Sequence, residues 1–369
     1  AENRSAQNED FPDACRPTST TSSAAIAPSV PRFRGAWKEI EPHLSQVCDF
    51  LYVSFPMRLP MERLEAVLLA GAAGDGFGGP FEGKPADPSR ELPAPTAALR
   101  LSDDTQLTFA TCRGLAQGGV DPAAVADAYV DVFRGGLAGG GSSTRKALRD
   151  LADGQHWALA GATGEFAAGN GAAMRIAPLA FFGDVGDATF VRTIADIARI
   201  THRNDEAISA AIAVVCALQL AGGRRQTRPS AKRETARNSP QTRREVLASL
   251  VATLPDTALS DALVALAALP ELATASDAAK VVGTSGRAAQ SVALALFLGA
   301  GTASIAGVIR EALQCGGDTD TVAALAAQIR AAAGQEVPEA WLHALPTDEV
   351  TRLATALRAR QARRRWLPW

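Results

Sequence analysis

The sequence predicts an all-α fold. Three observations carry the prediction. Alanine is abundant from Met61 onward. Apolar residues recur at helical spacing, as in Val191, Ile194, Ile197 and Thr201, which turns one face inward. The alternation of β-branched residues that marks strands is scarce.

Composition fits a globular protein: 47% hydrophobic, 21% charged, with a formal net charge of −2. That balance selects no partner. Five cysteines (Cys15, Cys48, Cys112, Cys216, Cys315) are odd in number and lack paired metal spacing, so reduced thiols in a cytoplasmic setting are expected. Cys315 lies beside an acidic string but has no neighbouring His, and hard cations avoid thiols, which makes it a packing residue.

Along the chain, residues 1–34 hold Ser, Thr, Asn, Pro and acids with little apolar content, and predict a disordered or partner-binding arm. No basic start precedes an apolar core there, so a secretory signal peptide of the usual sort is not expected. A cloning remnant, a spacer, an interaction arm and delivery by a non-classical secretion system remain open. Residues 35–60 carry Trp37, Leu44, Val47, Phe50, Leu51, Val53 and Phe55, which predict a short helical extension. Residues 61–369 read as the main domain.

Within it, Gly74-Asp75-Gly76-Phe77-Gly78 followed by Pro80-Phe81-Glu82-Gly83 reads as a flexible glycine- and proline-rich loop. Glu206 to Leu220 is apolar nearly all round but shorter than the roughly 20 residues of a membrane span, so it predicts a buried central helix. Ala288 to Gly299 predicts another core helix after Gly286. Between them, 222–244 is a basic insertion with eight Arg and Lys against Glu234; Pro229 and Pro240 block a continuous helix. It holds no aromatic residue to stack on bases, so a solvated loop is expected rather than a nucleic-acid contact. Arg358 to Arg365 invites the same reading, while Trp366 and Trp369 suit docking on the body or a partner.

Two acidic strings carry the chemistry. Leu101-Ser102-Asp103-Asp104-Thr105 and Gly316-Gly317-Asp318-Thr319-Asp320-Thr321 each set carboxylates beside hydroxyls, the ligands of a hard divalent cation. Either alone would serve as a helix cap. Together they suffice for two six-coordinate Mg²⁺ ions, a pairing that sits about 3.5–4 Å apart in hydrolases that activate water; Mn²⁺ is an alternative. Gly316 and Gly317 permit the tight turn before a helix that begins at the apolar run Val322 to Ile329.

These strings join others in a set that resembles the ADP-ribosylglycohydrolase family, from about residue 62 to about 334. The matching segments are Gly74 to Gly83, Ser102 to Thr105, Gly169-Asn170-Gly171-Ala172-Ala173-Met174-Arg175, Ile200-Thr201-His202 and Gly316 to Thr321. A further segment, Gly283-Thr284-Ser285-Gly286 running into Ser291, resembles a substrate-pocket strand of sequence in some branches. The resemblance implies a compact multi-helix domain with a central binuclear metal cleft.

It further implies a magnesium-dependent hydrolase that cleaves ADP-ribose from an ADP-ribosylated protein side chain or a small ADP-ribosyl compound. By the same resemblance the metal ligands are Ser102, Asp103, Asp104, Asp318, Asp320 and Thr321, with Ser102 where many members have Thr. Glu82 matches a glutamate that covers the metal site and is expected to act as mobile acid or gate. Catalysis then falls to Glu82, Asp103, Asp104 and Asp318, with the carboxylate that moves a proton left open. Asp75 is expected to brace the turn. Gly169, Asn170 and Gly171 suit a diphosphate through free N–H groups, and Met174, His202, Ser285 and Gly286 complete the expected ligand pocket. The alternative is an interaction, immunity or effector protein on the same fold that binds an ADP-ribosyltransferase or an ADP-ribosylated partner through its arm.

Overall fold

The computed structural model of this chain describes residues 58–223 and 242–364. The expected arm at 1–34, nearly all of the extension at 35–60 and most of the basic insertion lie outside the described residues. All described residues belong to one unit.

Among the described residues the regular elements are helices apart from one two-residue parallel pair, β1 (Ala162–Thr163) with β2 (His202–Arg203). The central packing is α1 (Leu64–Gly78) against α13 (Thr319–Ala332), with α11 (Ala288–Ala300) and α12 (Ile305–Cys315) on the other flanks of α13. Every residue of α13 from Thr319 to Ala332 is buried.

The glycine-rich stretch Gly74–Gly78, read from sequence as a loop, is instead the last turn of α1. A Cβ at Gly74 would strike the main chain of Ala323 and Ala324, and one at Gly78 would strike that of Thr319 and Asp320. Gly71 in turn faces Gln328, so the partners run in reverse order and the two helices are antiparallel. Close packing recovers dispersion and burial energy that outweighs the helix cost of about 1 kcal/mol per glycine. The loop proper begins after the 3₁₀ turn Gly79–Phe81.

The remaining helices wrap this centre. They are α2 (Asp103–Gly118), α3 (Pro122–Gly136), α4 (Ser142–Ala152), α5 (Trp157–Ala160) and α6 (Ala188–Arg199), then α7 (Asp205–Gly223), α8 (Arg243–Thr253), α9 (Ala258–Ala267), α10 (Ala275–Val282) and α14 (Thr347–Arg364). Local signals start many of them: Asp121 and Pro122 open α3, Asp187 caps α6 and Ser304 caps α12. Thr201, expected on the α6 face, lies just past its end but is buried. α13 starts three residues before the expected Val322.

α7 is buried from Glu206 to Ala221. It is 19 residues long and apolar enough to cross a membrane, yet 89% of its apolar window is buried in the fold, as a core helix requires. The basic insertion is shorter than expected. Gly222 and Gly223 still belong to α7, and Thr242 and Glu245 form a reciprocal capping box that makes Arg243 and Arg244 the first turn of α8. Arg243 then lays its guanidinium over Phe297 at 4.0 Å rather than facing solvent freely.

Candidate active site

The N-terminus of α2 is set by a buried carboxylate on α1. Asp75 accepts the main-chain N–H of Ser102 at 3.0 Å and of Thr105 at 3.2 Å, and the Thr105 hydroxyl at 2.5 Å. It is fully buried, so these bonds fix the register of the Ser102 to Thr105 turn, the bracing role expected of it. Ser102 caps α2 by accepting from Asp104 N–H at 3.1 Å, and Asp103 Oδ1 accepts the N–H of Gly140 at 2.9 Å. Asp104 is buried, and its Oδ2 has no hydrogen-bond partner among the described residues.

The second acidic string is shaped by two left-handed glycines, Gly316 (φ 69°) and Gly317 (φ 74°). A side chain at either would meet the main chain of Lys84 and Pro85 or of Thr284, so strain and space both demand glycine. Gly317 exchanges main-chain bonds with Gly83 (2.8 Å) and Lys84 (2.9 Å), and Asp318 N–H donates to Thr284 O at 2.8 Å. Thr319 donates its hydroxyl to Gly78 O at 2.8 Å, and Asp320 Oδ1 accepts Thr321 N–H at 2.9 Å. The Asn170 amide donates to Asp318 Oδ2 and, at 2.9 Å, to Ser291 Oγ.

These elements enclose one cavity of about 510 Å³. Glu82, Ser102, Asp103, Asp104, Asp318, Asp320 and Thr321 all line it, as do Gly169, Asn170, Gly171, Met174, His202 and Gly286. Ser285 does not. Its hydroxyl turns away to Gln290 Oε1 at 2.7 Å, because that contact caps the turn entering α11. The expectation of free N–H groups at Gly169 to Gly171 also needs correction, since Asn170 N–H is already donated to Gly286 O at 3.0 Å.

Glu82, Asp318 and Asp320 bring carboxylate oxygens within 4.8 Å of one another. No Lys or Arg pairs with Asp75, Asp103, Asp104, Asp318, Asp320 or Glu82 among the described residues. Burial, and then the charge of Asp320, hold the Asp104 and Asp318 carboxyls well above the usual range, and the same two causes push Asp103 up to about 6. Glu82 is raised first by Asp320 and then by burial. Uncompensated buried carboxylates are costly, and Asp104, which lines the same cavity, leaves its Oδ2 without a hydrogen-bond partner among the described residues. An all-oxygen donor set of this kind fits hard divalent cations.

Two features of the cavity wall escaped the reading of the sequence. Gly139 to Arg145 line it, placing the start of α4 at the cavity. Gly141 at its N-cap makes no side-chain cap, so the first-turn N–H groups of Ser142, Ser143 and Thr144 are available to an anion. The string Gly139-Gly140-Gly141-Ser142-Ser143-Thr144 is the signal that points to it. Phe166 is 97% exposed at the rim, and nothing in its sequence neighbourhood marked it.

The chain matches the sequence profile of the ADP-ribosylglycohydrolases over residues 57–366. A solved structure described as an ADP-ribosylglycohydrolase-related protein complex is 28% identical; the match covers 81% of this chain and 98% of that one, with a TM-score of 0.61. No protein of curated function matches the chain.

Proposed function

We propose, from the premise that this chain belongs to the ADP-ribosylglycohydrolase family, that it is a magnesium-dependent hydrolase removing ADP-ribose from a modified protein side chain. The family acts as glycohydrolases on ADP-ribose and is metal-dependent. The observation that carries the finer reading is the convergence of Glu82, Asp103, Asp104, Asp318 and Asp320 on one cavity with no cationic side chain paired to them among the described residues.

Ser102, Asp103, Asp104, Asp318, Asp320 and Thr321 would hold two Mg²⁺ ions, or Mn²⁺ in their place. Bound there, they supply Lewis-acid stabilisation of charge at the ribose and make water more acidic. The protein's own groups do the rest. In hydrolysis the bond between the anomeric carbon and the acceptor atom breaks, water adds its oxygen to that carbon, and one proton goes to the acceptor. A carboxyl poised to carry that proton needs a raised pKa, and Glu82 at the cavity edge has one. The first turn of α4 suits the diphosphate, since its dipole and free N–H groups favour negative charge. The exposed ring of Phe166 suits stacking on the base.

Incubating the full chain with arginine-linked and serine-linked ADP-ribosyl proteins, with and without magnesium, tests the proposal. Release of ADP-ribose from one of them only with the metal is expected. No release from either, beside release from a small ADP-ribosyl compound, would reject the protein acceptor.

A further inference from the structure

Beneath the cavity wall, Arg175 is fully buried with no carboxylate partner among the described residues. It spends its donors on neutral acceptors instead. Nη1 donates to Gly171 O, Nε donates to Tyr129 Oη at 2.8 Å, and Nη2 donates to Thr201 Oγ1 at 2.6 Å. The guanidinium also lies 4.7 Å from the Tyr129 ring centre. Thr201 Oγ1 is 2.8 Å from Nδ1 of His202.

Thr201 has no exposure to solvent, and its hydroxyl has these two neighbours only among the described residues. Arginine is donor only, so it occupies a lone pair of Oγ1 and cannot take the hydroxyl proton. If His202 also donated from Nδ1, the buried Thr201 proton would have no acceptor, at a cost of about 1–3 kcal/mol. The satisfied arrangement therefore runs in one direction, from guanidinium to hydroxyl to imidazole. His202 Nδ1 is then an acceptor, and the ring's single proton sits on Nε2.

That nitrogen lies against Gly169 and Gly171, two glycines of the cavity wall. His202 is 2% exposed yet lines it, and Nε2 comes within 3.4 Å of where a side chain on the neighbouring cavity residue Gly169 would begin. Thr144 Oγ1, from the uncapped first turn of α4, flanks the same glycine, Gly171, as the imidazole.

We infer that Arg175 and Thr201 are positioning residues that fix His202 as a neutral Nε2–H donor aimed at a ligand oxygen in the cavity. The ligand part rests on the function proposed above; the tautomer does not. Burial, and then the Arg175 charge, pull His202 down to about 3, which keeps the ring neutral and limits it to one donated bond.

Long-range nitrogen–proton correlation spectra of the full-length, ¹⁵N-labelled protein test this, with His202 assigned among the four histidines by comparison with His202→Gln. An unprotonated Nδ1 and a protonated Nε2 are expected without any ligand, and an Nδ1–H tautomer would overturn the inference. Thr201→Val keeps the shape and removes the hydroxyl. It should erase the tautomer preference and weaken ADP-ribose binding roughly tenfold, about the worth of one hydrogen bond. His202→Gln, whose amide N–H reaches the Nε2 position, should bind within roughly threefold of wild type. His202→Asn, which reaches only Nδ1, should lose the contact, and an Asn variant that binds as well as wild type would overturn the inference. If ADP-ribose fails to bind the wild type, the proposed function fails while the spectrum still decides the tautomer.

Discussion

Thr105 donates its hydroxyl to Asp75 Oδ2 at 2.5 Å, and the same oxygen accepts Ser102 N–H at 3.0 Å. A carboxylate on α1 thereby sets the turn that presents three candidate metal ligands. Asp75→Asn replaces an acceptor facing N–H groups with a donor, so Mg²⁺ or Mn²⁺ affinity should fall about 10–100-fold. Isothermal titration reads this directly, and unchanged affinity would assign Asp75 to the fold alone.

Asp104 and Asp318 come from segments far apart in sequence and face one cavity. Asp104→Asn removes a buried carboxylate whose Oδ2 has no hydrogen-bond partner among the described residues, so the metal-free protein should melt higher, by on the order of a few degrees. The same change should abolish the rise in melting temperature on adding magnesium, and Asp318→Ala should abolish magnesium-dependent release while far-UV circular dichroism stays helical. Retained metal response and turnover in both variants would remove these residues from the site.

Glu82 sits exposed above Asp318 and Asp320. Its neighbours Gly83 and Lys84 are bonded to Gly317, which holds its backbone over the acidic string. If Glu82 carries the proton to the acceptor, Glu82→Gln should lower kcat by about 10²–10⁴ and leave ADP-ribose affinity near wild type. Equal losses in both would make it a binding group.

Gly78 touches the main chain at Asp320. Gly78→Ala must push α1 away from the start of α13, which should cost about 1–3 kcal/mol of stability in urea titration. Metal affinity should fall with it, because the displaced segment carries Asp320 and Thr321. A stable variant with normal metal binding would mean that the helices separate without disturbing the acidic string.

His202 titrates near 3 in the folded chain against an ordinary 6.5, so the unfolded chain binds its proton more readily. The resulting stability is complete above pH 6.5 and is lost as pH falls toward 3. The facing charge is Arg175; Thr201 and Thr144 are neutral. Over that window wild type should lose stability faster than His202→Gln, by up to about 1.4 kcal/mol per pH unit. Parallel curves would show that His202 is protonated as freely in the fold as outside it.

The periodicity of α6 and the apolar runs of α7 and α11 were legible because helices announce themselves within a turn or two of sequence. Gly74 to Gly78 misled because glycine is both the loop former and the residue of closest helix contact. Only the partner, α13, distinguishes the two, and it lies some 245 residues away. Ser285 misled because a hydroxyl beside a pocket glycine has two directions to point, and Gln290 takes it outward.

By itself the sequence determined the chemistry of the donor set: carboxylates and hydroxyls clustered in two strings, without His or paired Cys, make an all-oxygen set of the kind that suits hard cations, and that is a property of residue types. What the tertiary structure alone decided is which groups share a centre and which are already spent. Asn170 has its N–H committed to Gly286, Asp75 has its carboxylate committed to α2, and Asp104 keeps one oxygen without a partner among the described residues. Such commitments are set by atoms within about 3 Å of one another, and those atoms come from chain segments whose separation in sequence carries no record of the contact.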